Sequence, residues 1–309
     1  MAAVSGTVKD SNNAYAARIV RVYRRESGAY VGGALSDGTT GAWSVTTADT
    51  KEHFAIVHDV IGDASFSSVG LLLHGDGTNG STTITDSSTG GKTVTVYGNA
   101  QISTAQSKFG GASILLDGSG DYLSLASSAD FNFGSGDFTW ECWLRRHAVV
   151  DATYADTLWC SAVNPVGLAI GINPTGHIGI SADSTAGGAW DIHKGCDPGD
   201  PYGTAALSLD TWYHVAICRS GSNWYGFVDG ALDQSFTSSA TISDGGGGYF
   251  VGHWHDGNTR YLNGNIEELR ITKGVARYTA AFPAPVAPFP NNSTQGSGNA
   301  IIYDRLVPA

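Results

Sequence analysis

The carboxylates are the first residues in this sequence to weigh for chemistry. A retaining glycosidase needs two of them about 5–5.5 Å apart, which a strand supplies through alternate residues on one face. Glu141 stands between Trp140 and Cys142, and Glu267 and Glu268 are adjacent, so on a strand they point to opposite faces. No strand offers the pair, and hydrolysis is not expected. In His253-Trp254-His255-Asp256 the two histidines share a side, a spacing that suits Zn²⁺ or Ni²⁺. A third ligand is missing nearby, so an exposed polar strand end is the expectation. His74 and His214 sit inside apolar strand blocks and read as hydrogen-bonded structural histidines. The four cysteines, Cys142, Cys160, Cys196 and Cys218, form no CxxC pair. Buried thiols are expected, with Cys160 and Cys196 the one pair worth testing for a bridge.

The aromatics offer a different chemistry. Saccharides bind by laying apolar ring faces on Trp or Tyr while polar groups take their hydroxyls. Trp159, Trp190, Tyr202, Tyr249 and Trp254 fall in or beside apparent loops, whereas Trp140 and Trp212 follow strand periodicity and are assigned to the core. The stretch from Val149 to Pro201 is long and irregular, which marks a surface specific to this chain. Its aromatics serve either a ligand or a neighbouring subunit. The subunit is the preferred reading, since aromatic side chains anchor interfaces.

The elements that must hold these residues are short strands. Glycine makes up 42 of 309 residues, roughly twice the ordinary share of about 7%. Charged residues are only 15%, and the net charge of −11 disfavours nucleic acid and anionic membranes as partners. The opening MAAVSGTVKD has no charged segment followed by an apolar one, so no secretory leader is expected. No apolar run approaches the roughly 18 residues that a membrane helix needs, and no membrane insertion is expected.

Residues 1–62 alternate like a small β-sandwich, with Val20 and Val22 on one face of a strand. A core of that size is marginal. The apolar segment Ile301-Ile302-Tyr303, after the polar linker 291–298, would complete the sheet if it paired back. The expectation is therefore a discontinuous domain of 1–62 plus 299–309, with 67–290 inserted between. In the inserted part, Asp229-Gly230 between Trp224–Val228 and Ala231–Asp233 predicts a two-residue type I′ hairpin. Phe138, Trp140, Cys142 and Leu144 share one strand face, with Thr139, Glu141, Trp143 and Arg145 on the other. So many strands point to a two-sheet jelly roll.

Several blocks carry a resemblance. Leu71–Ser81 (LLLHGDGTNGS), Lys108–Ser113 (KFGGAS), Asp117–Leu123 (DGSGDYL), Gly136–Trp143 (GDFTWECW), Trp212–Ala216 (WYHVA), Phe227–Gly230 (FVDG) and Glu268–Tyr278 (ELRITKGVARY) follow one another in order. They resemble the concanavalin A-like, laminin-G-like jelly rolls of bacteriophage structural proteins. The flanking unit is similar to small immunoglobulin-like or transthyretin-like virion modules. The fold class expected is thus all-β, a concanavalin A-like jelly-roll sandwich inserted into a small β-sandwich.

The resemblance implies a non-enzymatic virion component: a tail-fibre, head-fibre or capsid-decoration subunit, exposed on a particle assembled in the host cytoplasm. Its implied partners are capsid or tail subunits, further copies of itself and host-surface glycans. The alternative is a receptor-binding lectin of a tail fibre. The glucanases of this fold carry Glu-x-Asp-x-Glu, which is missing here. Laminin-G-like members often bind calcium at the sandwich rim, and Asp76, Asn79 and Asp86 cluster in the first long loop with Glu268 at the acidic position of the last block. These residues either coordinate Ca²⁺ or cap turns. No other cofactor is implied.

Overall fold

The computed structural model describes residues 2–7, 18–24, 26–27, 30–35, 42–47, 52–59, 62–161, 167–184, 190–195, 203–244, 247–254, 260–293 and 301–306. Cys196, Tyr202, His255, Asp256 and residues 294–298 of the expected linker lie outside them. Among the described residues no helix is long and apolar enough to cross a membrane. The chain divides into two compact units, Met1–Phe66 with Pro285–Ala309, and Ser67–Ala284.

The first unit contains β1 (Ala2–Thr7), β2 (Arg18–Arg24), β3 (Tyr30–Leu35), β4 (Ala42–Thr47) and β5 (His53–Asp59). β1 pairs with β4, while β2 lies between β3 and β5. Alternation buries Val4, Val20, Val22, Trp43, Val45 and Ala55 in one small core. Gly6 lies against the Trp43 ring, where a Cβ would collide. The last strand, Ile301–Leu306, pairs antiparallel with the free edge of β5. That pairing covers a row of backbone groups an edge strand would otherwise expose. Residues 285–290 group with this unit and not with the inserted one.

The second unit runs through β6 (Val69–Leu73), β7 (Val94–Tyr97), β8 (Gln101–Ser103), β9 (Ser113–Asp117), β10 (Tyr122–Leu125), β11 (Phe138–Arg146) and β12 (Asp156–Ser161). It continues with β13 (Leu168–Ile172), β14 (Ile178–Ala182), β15 (Ile192–Lys194), β16 (Trp212–Ser220), β17 (Asn223–Val228), β18 (Ala231–Thr237), β19 (Tyr249–Val251) and β20 (Asn263–Lys273). One sheet has the order β15-β14-β13-β12-β19-β10-β7. The other has the order β18-β17-β16-β11-β20-β9-β8, with β6 also paired to β20. Phe138, Trp140, Cys142 and Leu144 of β11 enter the core between the sheets, and Thr139, Glu141 and Trp143 face away from it. Each fully buried large apolar side chain contributes about 1.5–3 kcal/mol.

The β17–β18 hairpin has both central residues at positive φ, Asp229 at 47° and Gly230 at 78°, as a type I′ turn requires. Gly230 is further constrained because a Cβ would strike the Phe282 carbonyl. After β20 the chain crosses the outer face of its sheet, where Tyr278 and Phe282 pack on Ala216, Cys218 and Phe227. Trp212 is half-buried at the start of β16 and lies outside the core cluster, contrary to its periodicity. Cys142, Cys160 and Cys218 are buried thiols.

Candidate functional site

Strand alternation builds an aromatic row on the outer face of the seven-stranded sheet. In β7, Val94 and Val96 pack against the core while Tyr97 turns outward; in β10, Leu123 and Leu125 enter the core while Tyr122 turns outward. The register sets Tyr97 opposite Tyr122 and Phe250 opposite Ser124. Tyr97 and Tyr122 stack at 4.4 Å between centroids, Tyr122 meets His253 at 4.7 Å, and His253 stacks on Tyr261 at 4.6 Å. Phe250 fills the flank, 5.3 Å from both Tyr122 and His253. Tyr97, at the end of the row, is 43% exposed. Burial, then the neighbouring Tyr97 and Tyr261 phenols, push the Tyr122 hydroxyl above its ordinary value, so it stays protonated and able to donate at physiological pH.

A second group adjoins this row along the chain, because Trp254 follows His253 and Arg260 precedes Tyr261. Trp190 and Trp254 lie 5.2 Å apart with their planes tilted by 42°. The Arg260 guanidinium sits 4.6 Å from the centre of the Trp254 ring and 3.9 Å from that of Tyr154. Tyr154 is 42% exposed, and Trp190, Trp254 and Arg260 are half-buried. Trp190 takes a left-handed backbone (φ 59°), a strained setting for a bulky residue.

Two of the expected contact aromatics are elsewhere. Trp159 is fully buried in the core, stacked 4.9 Å from Tyr249 and edge-on to Phe131. Tyr249 is 3% exposed and donates its hydroxyl to the Phe131 carbonyl at 3.3 Å. The stretch from Val149 to Pro201, expected to be irregular, contains β12 to β15, and their pairing turns Trp159 inward. Alternation along β7 and β10 is the sequence signal that turns Tyr97 and Tyr122 outward, a signal separate from the loop tryptophans.

The four expected calcium ligands do not converge. Asp86 is buried, and its oxygens accept from the Leu72, Ser88 and Lys92 amides and the Ser88 hydroxyl, all at 2.7–2.9 Å. The Asn79 side-chain oxygen accepts from the Thr104 amide and hydroxyl. Glu268 accepts from the His74 ring at 2.8 Å. Asp76 is exposed beside Gly110. Among the described residues no group of three or more His, Cys, Asp or Glu is placed to hold a metal ion. Asp86 and Asn79 use their side-chain oxygens to tie backbone amides, the turn-capping alternative.

The family model described as the concanavalin A-like lectin/glucanases superfamily matches residues 117–277, just over half of the chain. The chain belongs to that superfamily. Among solved structures it is similar to the binding domain of Paraclostridial Mosquitocidal Protein 1, with 14% identity and a TM-score of 0.53 over 68% of this chain and 50% of that one. It is also similar to the botulinum neurotoxin serotype D binding domain (16% identity, TM-score 0.51, 69% of this chain and 50% of that one). The receptor binding domain of the botulinum neurotoxin C/D mosaic serotype gives 16% identity and a TM-score of 0.51, over 68% and 49%. At such identities the likeness is one of fold, and the chain spans about half the length of these domains. No curated protein matches it.

In a lectin/glucanase fold the acids decide what chemistry is open. Glu141 is fully buried on the outer side of β11. Arg270 donates to it from Nε at 2.9 Å and Nη2 at 2.7 Å, His214 from Nε2 at 3.2 Å and Tyr278 from its hydroxyl at 3.0 Å. Burial opposes its ionisation, but the Arg270 charge, the His214 bond and Arg277 outweigh that, and its pKa falls to about 2. Glu267 and Glu268 do not take opposite faces as adjacent strand residues would. A β-bulge opposite Cys142, with Glu268 at φ 57°, leaves both turned away from the core that Ile266 and Leu269 enter. Glu267 is 0% exposed and accepts from the Lys108, Phe109 and Gly110 amides. Burial raises its pKa against those three bonds, and the nearby Glu268 charge adds to the rise. His74 is raised as well: burial would lower it, but Glu268, Asp76 and Glu267 prevail.

Proposed function

We propose that the chain is a non-catalytic, saccharide-binding adhesion subunit of a phage virion, displayed on the capsid or tail. The observation that carries the reading is the continuous row of rings from Tyr97 through Tyr122 and His253 to Tyr261, with Trp254 and Trp190 alongside. His253 is buried within the row, contrary to the exposed strand end expected there. The stacked rings cover one another, so the row offers a sugar the exposed Tyr97 ring, the edges of the half-buried Tyr122 and Tyr261, and their phenol hydroxyls. Membership of a lectin/glucanase superfamily supports a binding role, as does likeness to domains whose names describe binding. The virion setting is supported by the resemblance of the blocks between Leu71 and Tyr278 to phage jelly rolls. The small sandwich is proposed to attach the subunit to a homo-oligomeric assembly.

The absence of hydrolysis is supported by the acids. Glu141 is held ionised within a network of cations, and Glu267 is spent on three amides, so neither is set out as an acid facing a nucleophile across a groove. A glycan array with the full chain tests the binding. A saccharide hit weakened at least tenfold, about 1.4 kcal/mol, by Trp254→Ala or Tyr122→Ala supports the reading. A blank array, with Tyr122→Ala instead impairing particle assembly, would transfer the surface to a subunit contact. Release of reducing ends from any bound polymer would overturn the non-catalytic part. Antibody-labelled electron microscopy should find a regular array of copies on purified particles, and unlabelled particles would remove the virion setting.

A further inference from the structure

We propose that Arg260 makes this aromatic surface selective for saccharides that carry a carboxylate, an inference that rests on the saccharide-binding reading above. A guanidinium normally finds acceptors for its five N–H groups. Arg260 has neither an ion pair nor a side-chain hydrogen bond to any described residue, and its Nε is buried without a partner. The residue as a whole is half-buried, so its Nη edge is not sealed from solvent as its Nε is. Two rings hold the group in place: the centres of the Tyr154 and Trp254 rings lie 3.9 Å and 4.6 Å from its central carbon.

Each feature points to the same ligand chemistry. Contact with two rings leaves the guanidinium its charge while restricting its movement, and its planar fork matches a planar carboxylate through two parallel N–H···O bonds. Partial burial weakens screening of that contact. The whole chain is acidic, with a net charge of −11. A general attraction for anions is therefore not available, and selectivity has to be local, from a cation seated among the rings as Arg260 is. A pyranose whose carboxylate reached the Nη edge would bring its ring alongside Trp254 and Trp190, which are already 5.2 Å apart. A neutral sugar could use the same rings but would leave the charged donors to water. The ligand class is accordingly a uronate- or ulosonate-bearing glycan.

The test is titration calorimetry with the full chain, using trigalacturonate against its methyl ester and sialyllactose against lactose, with 3′-sulfolactose as a further arm. At least one carboxylated member should bind ten times or more tighter than its neutral partner. Arg260→Gln should bring that acid down to the affinity of its neutral partner measured on the same variant. Arg260→Lys, which keeps the charge but not the planar fork, should recover only part of the preference. An unchanged urea midpoint would show that both variants are folded. Equal binding of acid and neutral forms overturns the role of Arg260 and leaves the saccharide reading standing. So does a preference that survives Arg260→Gln, or tighter binding of the sulfated sugar than of either carboxylated one. Failure of all five probes, together with a blank array, overturns both.

Discussion

Replacing Glu141 with glutamine isolates the electrostatic centre of the jelly roll. The carboxylate is 0% exposed and Arg270 only 4%, so neither charge has much access to water. The pKa of Glu141 drops from 4.5 to about 2. Each tenfold preference for the charged form is worth about 1.4 kcal/mol, which makes the ionised group worth on the order of 3 kcal/mol. Removing one member of a buried pair typically costs about 3–5 kcal/mol, in agreement. The folded pKa lies below the unfolded one, so this stabilisation is fully present above about pH 4.5 and is lost as pH falls through about 2. Urea unfolding followed by tryptophan fluorescence should show it, since Trp140 and Trp143 flank Glu141 on the same strand. With a urea slope of about 2 kcal/mol per molar, the midpoint of Glu141→Gln should fall about 1.5 M at pH 7. The gap from the unmodified chain should narrow as the pH approaches 2. A gap under about 0.5 M at pH 7, or one that ignores pH, would refute the assignment of a stabilising buried carboxylate.

Three other outcomes are expected. Trp159→Ala should cost about 3–5 kcal/mol of unfolding free energy, the cost of emptying a core site and not of trimming a contact surface; a loss under 1 kcal/mol would contradict its burial. Gly230→Ala forces a Cβ toward the Phe282 carbonyl at φ 78°, and the urea midpoint should drop by an amount equal to at least about 1 kcal/mol. Deleting residues 299–309 removes the strand paired to β5. In calorimetry the transition of the small sandwich should fall by more than about 5 °C, with the jelly-roll transition unmoved; equal stability of both would show that the strand contributes nothing.

Much of the architecture could be read from local pattern. Alternation along β11 places Phe138, Trp140, Cys142 and Leu144 in the core and Glu141 on the opposite side, because a strand's side chains reverse face at every residue. Asp229-Gly230 determines its hairpin because both residues accept the positive φ the turn requires. Such signals act over a few residues, and the sequence contains them whole.

The site depended on events between distant segments. Trp159 and Tyr249 looked like loop aromatics until the pairing of β12 with β19 stacked them in the core. One extra residue in β20 turned Glu267 and Glu268 to the same side, and a bulge depends on the neighbouring strand as much as on its own sequence. The row from Tyr97 to Tyr261 draws on two strands, β7 and β10, and on His253 and Tyr261 outside the strands, with Phe250 of β19 on its flank. None of these segments alone marks it. Local alternation decides which side of a strand a residue occupies. Which strands become neighbours, and so which outward rings meet, is decided only when the sheet closes over its core.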